Sequence, residues 1–330
     1  MTDRLWAIDA ATYIRHAVHH SDRIWAESNC SVDVWIELLH TAGLEPMAAL
    51  PFTIAIDFEG DQWTFFKIPY ADLSALYGID VVEVNVWRKL AIHVGDQLAL
   101  GRPSIVEVDG YYLPDTAGTS YQREHVKTSI AVQAIDLASN RLGYFHNAGY
   151  HELTAGDFDG LFASADSDPR VTPPCIEIVK FPEPATAKGG ALVSRSVDLL
   201  RVHLTRLPRE NPFRRYAPRL VVELDLLATR PLDDFHRYAF STFRQCGSAF
   251  ELFGAYLRWL GGSGESGLEE AAAACDTIAG TAKALQFKTA RLVSSGRSFD
   301  AMAMVETMAD AWDNGTARLL AHYRAVAYSG

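Results

Sequence analysis

Apolar positions keep a helical period in one early segment and a strand period in several others. Val32, Trp35, Ile36 and Leu39 recur at i, i+3, i+4 and i+7, the spacing of an amphipathic helix. Asn29 is a good N-cap and Gly43 a good residue just past the end, so a helix is expected over about residues 30–42. The runs 52–57 and 62–66 read as short strands around Glu59-Gly60-Asp61. Residues 69–78 and 87–100 read as helices, the second stopped by Gly101, and 103–109 as a strand that runs into Tyr111-Tyr112-Leu113-Pro114-Asp115. From His125 the alternation is clean: Val126, Thr128, Ile130, Val132 and Ala134 face one way, Lys127, Ser129 and Gln133 the other. Ala138-Ser139-Asn140 then turns the chain into a second strand, Leu142 to Asn147.

Residues 166–190 are rich in Pro, Ser, Asp and Gly and read as a linker. Beyond 191 the period is helical, beginning with Leu199, Leu200, His203 and Leu204 and continuing through runs at about 211–228, 231–260, 267–295 and 298–326. The pattern predicts an α+β domain over 1–165, the linker, and a helical bundle over 191–330.

Composition narrows the function classes. A chain of 330 residues, 48% hydrophobic and 22% charged, can bury two ordinary globular cores. No apolar run approaches a membrane span, and Met1-Thr2-Asp3-Arg4 lacks the layout of a signal peptide, so a cytoplasmic protein is expected. A net charge of −11 argues against nucleic acid or an anionic membrane as partner. Cys30, Cys175, Cys246 and Cys275 are scattered without a CxxC pair, as reduced thiols are. One stretch opposes the average charge: Arg195, Arg201, Arg206, Arg209, Arg214, Arg215 and Arg219, with Asp198 and Glu210 the sole acids among them. It reads either as a solvated helix face or as a docking patch for an acidic partner or a phosphate group.

The position of Cys30 carries the chemistry. A sulfur in the first turn of a helix meets unpaired amide N–H groups and the positive end of the dipole, which stabilise a thiolate. Glu27 and Asp33 lie close in sequence and oppose this unless they point away. His125 heads a strand, a fixed place for a general base, and Asn147, or Asp136 in its stead, would orient the imidazole. Other acids weigh less. Asp57, Glu59 and Asp61 at i, i+2, i+4 would bind a hard cation or an ammonium group, or form a solvated turn, the calcium-loop pattern not being completed. Asp109 and Asp115 flank the aromatic segment before His125 and would line a substrate groove or cap a turn. His19-His20 and His146 with His151 lack zinc spacing, so no metal is expected. Gly262 to Gly267 matches GxGxxG formally but follows a helical run, not a strand.

Asn29-Cys30 with its helix, the stretch Gly101 to Asp109, Tyr111 to Pro114 and then His125 resemble the papain-like acyltransferases typified by butirosin biosynthesis protein H. More distantly they are similar to bacteriocin-processing cysteine peptidases. The blocks Asp57 to Lys67 and Gly143 to Tyr150 resemble an uncharacterised bacterial family associated with amino acid:carrier protein ligases. The resemblance implies a papain-like fold with a C-terminal helical bundle, and Cys30, His125 and Asn147 as nucleophile, base and orienting residue. It implies an (amino)acyl group moved from the phosphopantetheine thioester of a carrier protein to a small amine, with no permanently bound cofactor. The related peptidases place an oxyanion-stabilising Gln before the nucleophile, which this chain lacks, so Asn29 or Gln62 would have to serve. Asp57, Glu59, Trp63, Asp109, Tyr111, Asp115 and His146 would then contact substrate. Arg206, Arg209, Arg214 and Arg215 would meet the carrier protein. Hydrolysis to water, and a non-catalytic carrier-binding role, are the alternatives.

Overall fold

The computed structural model describes residues 3–20, 22–166, 176–182 and 188–327. They form an α+β protein with an antiparallel sheet and a C-terminal helical region, in two compact units that are each discontinuous in sequence. The first comprises residues 1–19, 29–46 and 69–187; the second comprises 20–28, 47–68 and 188–330. Residues 20–28 and 47–68, read above with the N-terminal part, therefore group with the C-terminal helices.

The first unit is built on a seven-stranded sheet. Its strands are β1 (Asp3–Arg4), β2 (Asp80–Val84), β3 (Ser104–Asp109), β4 (Lys127–Asp136), β5 (Arg141–His146), β6 (Gly149–Thr154) and β7 (Ile176–Lys180). The order is β2-β7-β3-β4-β5-β6, every pairing is antiparallel, and β1 adds to β4. The helices of this unit are α1 (Cys30–Thr41), α2 (Tyr70–Tyr77), α3 (Leu90–Ala99) and α4 (Ala155–Asp166). The expected linker needs correction: β7 lies inside it and pairs with both β2 and β3, while residues 167–175 and 183–187 lie outside the described residues. The Ile176-Glu177-Ile178-Val179 run, rich in β-branched residues, is a strand signal that the surrounding prolines mask.

Alternation on the central strands divides two layers. Val106, Val108, Ile130, Val132, Leu142 and Tyr144 join Leu90, Val94 and Leu98 of α3 and Phe158, Leu161 and Phe162 of α4 in one core. The opposite face carries Phe145, paired with Ala131, and is covered by α1, which packs on β4 and β5. Tyr13 fixes that side, with its hydroxyl donating to Glu37 of α1 at 2.6 Å and its ring 5.8 Å from that of Phe145.

The second unit is helical: α5 (Gly190–Leu204), α6 (Pro212–Leu227), α7 (Leu232–Ala239), α8 (Gln245–Gly262), α9 (Glu269–Ser295) and α10 (Ala301–Ala327). The expected strand over 52–57 is instead a 3-10 turn, Pro51–Ala55, and 62–66 contributes a single bridge, Phe58 to Trp63. The 3-10 turn packs on α5 and α8, which offer no strand edge, so the backbone satisfies itself locally. Pro51 starts that turn and the Thr53 hydroxyl returns to the Leu50 carbonyl at 2.8 Å.

Gly143 marks one close approach within the sheet. A Cβ there would lie 2.1 Å from the Tyr150 hydroxyl and 3.1 Å from Cβ of Ala134. That hydroxyl is held by the buried Gln133 amide at 2.7 Å and cannot withdraw freely. Gly143→Ala is expected to destabilise by about 1–3 kcal/mol in urea unfolding through overpacking. Combined with Tyr150→Phe, which removes the clashing oxygen, it is expected to cost less than the sum of the single changes, by at least about 0.5 kcal/mol.

Candidate functional site

Cys30 is the first residue of α1, as the periodicity required. Asn29 caps the helix in an extended conformation, φ −147° and ψ 159°, and its Oδ1 accepts from the amides of Ser31 at 3.1 Å and Val32 at 3.0 Å. That carbonyl oxygen is thereby committed to the cap. Cys30 is half-buried, whereas Cys246 and Cys275 are buried and their thiols are pushed up by desolvation. Cys175 lies outside the described residues. Among the described cysteines, Cys30 alone has access to solvent.

The two acids that threatened a thiolate both have cationic partners. Glu27 Oε2 accepts from Arg244 Nη2 at 2.9 Å. Asp33 Oδ1 lies 3.2 Å from His19 Nε2, and the other ring nitrogen of His19 is bonded to Glu37. All three of these side chains are fully buried. Glu37 also accepts from the Tyr13 hydroxyl and the His16 amide. Burial alone would push His19 down, but its hydrogen bonds and charge interactions with Asp33 and Glu37 outweigh this and hold it above its ordinary value. Burial would likewise push Glu37 up, but the hydrogen bond and charge of His19 hold it below.

His125 stands just before β4, its ring largely exposed at 69%. Its Nδ1 lies 2.5 Å from Asp109 Oδ2, and the imidazole stacks on Tyr111 with centroids 4.5 Å apart and planes inclined by 14°. Asp109 pairs with Lys127 and Glu107 with Ser129, positions that share a face with Ala131, the face covered by α1. The His125–Asp109 pair thus belongs to the same side of the sheet as the helix that Cys30 begins. Among the described residues, Cys30 makes no side-chain hydrogen bond, and that of His125 is to Asp109.

Asn147 is not brought to His125. The pairing of Ala131 with Phe145 and Val132 with Tyr144, continued, sets Asn147 opposite Ser129. At roughly 3.3 Å per residue, that is about 13 Å along the strand from His125. Asn147 instead occupies the left-handed region, φ +47°, in the turn joining β5 to β6, where Asn is among the few non-glycine residues tolerated. Asp136, the alternative, ends β4 and accepts from the amide of Ala138 at 3.0 Å.

Other expected contacts prove internal. His146 is 2% exposed, with Nδ1 2.5 Å from Asp115 Oδ2 and Nε2 2.8 Å from the Thr128 hydroxyl. Asp115 also accepts from the Tyr144 hydroxyl at 2.5 Å. Burial would push Asp115 up, but the hydrogen bond and charge of His146 hold it below its ordinary value. These two residues tie the segment after β3 to β5. Trp63 is 2% exposed, its ring 4.9 Å from Phe213 and beside Phe58 and Tyr216, and is a core side chain of the helical unit. Asp57 pairs with Arg215, and Glu59 accepts from the Thr64 hydroxyl at 2.9 Å, so both organise the 57–64 turn. Gln62 is exposed in that turn, in the second unit, whereas Cys30 belongs to the first. Among the described residues, no three His, Cys, Asp or Glu side chains are grouped to hold a metal ion.

The arginine cluster is divided. Arg214 pairs with Glu306, Asp310 and Asp313, Arg215 with Asp57, Arg201 with Asp198 and Arg219 with Glu223. Arg206 and Arg209 are exposed and form no ion pair among the described residues. No described helix is long and apolar enough to cross a membrane. Sequence reasoning missed His19 as the partner of Asp33 and Glu37, Arg244 as the partner of Glu27, and Asp109 as the partner of His125. Two buried acids at i and i+4 on an otherwise apolar helix are a signal for a cation such as His19; nothing local points to Arg244.

Residues 14–181 match the family model described as the DUF1839 N-terminal domain, and residues 189–321 the one described as the DUF1839 C-terminal domain. The chain therefore belongs to the DUF1839 family, whose function is unknown. No curated protein matches it.

The buried trio gives a pH signature. The stability from raised His19 is full below its unfolded value near 6.5 and lost as pH rises through the higher folded value. The stability from lowered Glu37 is present above its unfolded value near 4.5 and lost as pH falls through the lower folded value. Both contributions coexist between those two values. His19→Gln, which removes the imidazole that bridges two buried carboxylates, is expected to cost about 3–5 kcal/mol there in chemical denaturation. The difference from wild type is expected to shrink as pH rises past the folded value of His19.

Proposed function

We propose that this member of the DUF1839 family is a cysteine-dependent acyltransferase whose N-terminal domain works in the manner of papain-like enzymes. The acyl group, an aminoacyl group on this reading, comes from the phosphopantetheine thioester of a carrier protein, and a small amine receives it. The observation that supports this most is the held imidazole: His125 Nδ1 is tied to Asp109 and its face rests on Tyr111, leaving Nε2 free to exchange protons on the side of the sheet that bears α1.

In the first half-reaction, Cys30 Sγ attacks the acyl carbon of the carrier thioester. The C–S bond to the carrier breaks, and the Cys30 proton passes through His125 Nε2 to the departing thiol. In the second, the amine nitrogen attacks the Cys30 acyl carbon, loses a proton to His125, and the Cys30–acyl bond breaks with return of that proton to sulfur. The product is an amide. A thioester has a good leaving group, so one backbone donor at the Cys30 amide, with no committed side-chain partner, asks less of an oxyanion hole than an amide substrate would. Asp109 takes the orienting role first expected of Asn147, because it fixes which ring nitrogen carries the proton.

Aminoacyl transfer to an added amine tests these roles. Cys30→Ala is expected to abolish transfer, and Asp109→Asn to lower kcat by about 10²–10⁴-fold, the usual worth of positioned acid–base catalysis. Asn147→Ala is expected to stay within about threefold of wild type, since Asn147 sits in the β5–β6 turn, opposite Ser129 rather than beside His125. The reverse ranking of Asp109 and Asn147 would refute the assignment, and a product that is only free acid would make the enzyme a thioesterase.

Carrier docking, on this reading, falls to Arg206 and Arg209, because Arg214 and Arg215 are engaged by the protein's own acids. Arg206→Glu/Arg209→Glu is expected to raise the KM for an acidic carrier protein about tenfold with little change in kcat, an effect that weakens with added salt. An unchanged KM would place docking elsewhere.

A further inference from the structure

At the opposite end of β4 from His125, one row of paired positions crosses four strands of the sheet. Arg4 of β1 stands opposite Ala134 of β4, Ala134 opposite Gly143 of β5, and Gly143 opposite Glu152 of β6. Directly paired residues share a face, so the row ends in a cation and a carboxylate, with two very small residues between them. Asp136 and Arg141, the pair two residues further along β4, lie on the same face. These six residues line a cavity of about 470 Å³, within the usual size range of small-molecule sites. All of them belong to the first unit. Ala134 and Gly143 are buried at the floor, whereas Arg4, Arg141 and Glu152 are exposed at the rim.

A β-bulge shapes that floor. The register between β4 and β5 shifts at Gln133, between Val132 and Ala134, and the Gln133 side chain is buried. Its Oε1 accepts from the Trp6 amide at 3.1 Å and its Nε2 donates to the Tyr150 hydroxyl at 2.7 Å. Tyr150 is 4% exposed, and its hydroxyl fills the space that a Gly143 side chain would take. Because that oxygen accepts from Gln133, its own proton points elsewhere, and no side chain among the described residues accepts it. A buried donor without an acceptor costs about 1–3 kcal/mol, which a bound acceptor at the floor would recover. Burial pushes the hydroxyl up to about 12, so it remains a donor at neutral pH.

The rim carries two guanidiniums and two carboxylates. Arg141 Nη2 donates to Glu152 Oε2 at 3.2 Å, and Asp136 Oδ1 accepts from the amides of Ala138 at 3.0 Å and Ser139 at 3.4 Å. Arg4 forms no ion pair and no side-chain hydrogen bond among the described residues, and Glu152 uses one oxygen toward Arg141. The two ends of the row are therefore the charged groups still open to a ligand. With cations and carboxylates in balance, a bare anion or a bare cation meets repulsion along with attraction. A molecule carrying one charge of each sign satisfies both ends.

We propose that this cavity binds a free amino acid, with its carboxylate on the Arg4 guanidinium and the Tyr150 hydroxyl and its ammonium group on Glu152. The planar guanidinium fork matches a carboxylate in two parallel hydrogen bonds, and the phenol supplies a third donor from below. Glu152 keeps acceptor sites for the ammonium group beside its contact with Arg141. Neither Cys30 nor His125 lines the cavity, so the proposal does not rest on the transfer reading.

The test is isothermal titration calorimetry of the full chain with each standard L-amino acid, and with acetate, ethylamine and inorganic phosphate as probes of one charge sign. At least one amino acid is expected to bind saturably and about tenfold or more tightly than any of the three probes. Arg4→Ala and Glu152→Gln, both at exposed positions, are each expected to weaken that binding about tenfold while leaving thermal unfolding of the free protein unchanged. Tyr150→Phe, which removes an uncharged donor, is expected to weaken it by less, about threefold to tenfold. Binding left unchanged by Arg4→Ala or by Glu152→Gln would overturn the proposal. So would the absence of saturable heat from every amino acid, or tighter binding of acetate, ethylamine or phosphate.

Discussion

A helix buried along its middle cannot keep isolated charges, and α1 carries two. Every residue from Val32 to Leu39 is buried, Asp33 and Glu37 included. Water cannot stabilise those carboxylates there, so protein groups must. His19 lies between them, and the Tyr13 hydroxyl and His16 amide complete the shell of Glu37. This arrangement ties residues 13–19 to α1. It fixes the helix about its axis, and leaves Cys30 and Ser31 as the first-turn positions with access to solvent. The placement of the candidate nucleophile thus follows from how a buried ionic group must be satisfied.

The same logic separates residues that can act from residues that hold. His125 and His146 each bond a carboxylate at 2.5 Å through Nδ1, yet they differ in what the second nitrogen meets. His146 Nε2 is occupied by the Thr128 hydroxyl in the interior, which closes a structural network. The His125 side chain is largely exposed and, among the described residues, its Nε2 has no such partner, which suits proton exchange. A Tyr stacked beneath and a carboxylate beside it restrict the imidazole without covering it.

Much of this was legible in the sequence where a single period ruled. The α1 helix, its Asn29 cap, the β4–β5 hairpin and the helices after residue 211 follow from spacing and punctuation. The chain misled where tertiary partners decide the backbone. Phe52 to Ile56 alternates like a strand but has helices for neighbours, so it coils into a 3-10 turn. Ile176 to Val179 sits among prolines but finds two open strand edges. Asn147 looked like an orienting residue because it follows a strand on the neighbouring segment; a two-residue turn explains its identity better. Asp109 gave no sign of its pairing with His125 because that partner lies 16 residues away across a strand pair. The grouping of residues 20–28 with distant helices arises from Arg244 and Glu251, more than 200 positions later, and no local pattern encodes it.

The proposed transfer passes a covalent acyl group through the Cys30 sulfur. The most direct measurement is intact and peptide mass spectrometry of the protein after brief incubation with an aminoacyl carrier protein, before any amine is added. A mass increase of one aminoacyl group on the peptide that contains Cys30, discharged when an amine is supplied, is the predicted result. Transfer to the amine with no such adduct at any time point, or an equal adduct on the Cys30→Ala variant, would contradict it.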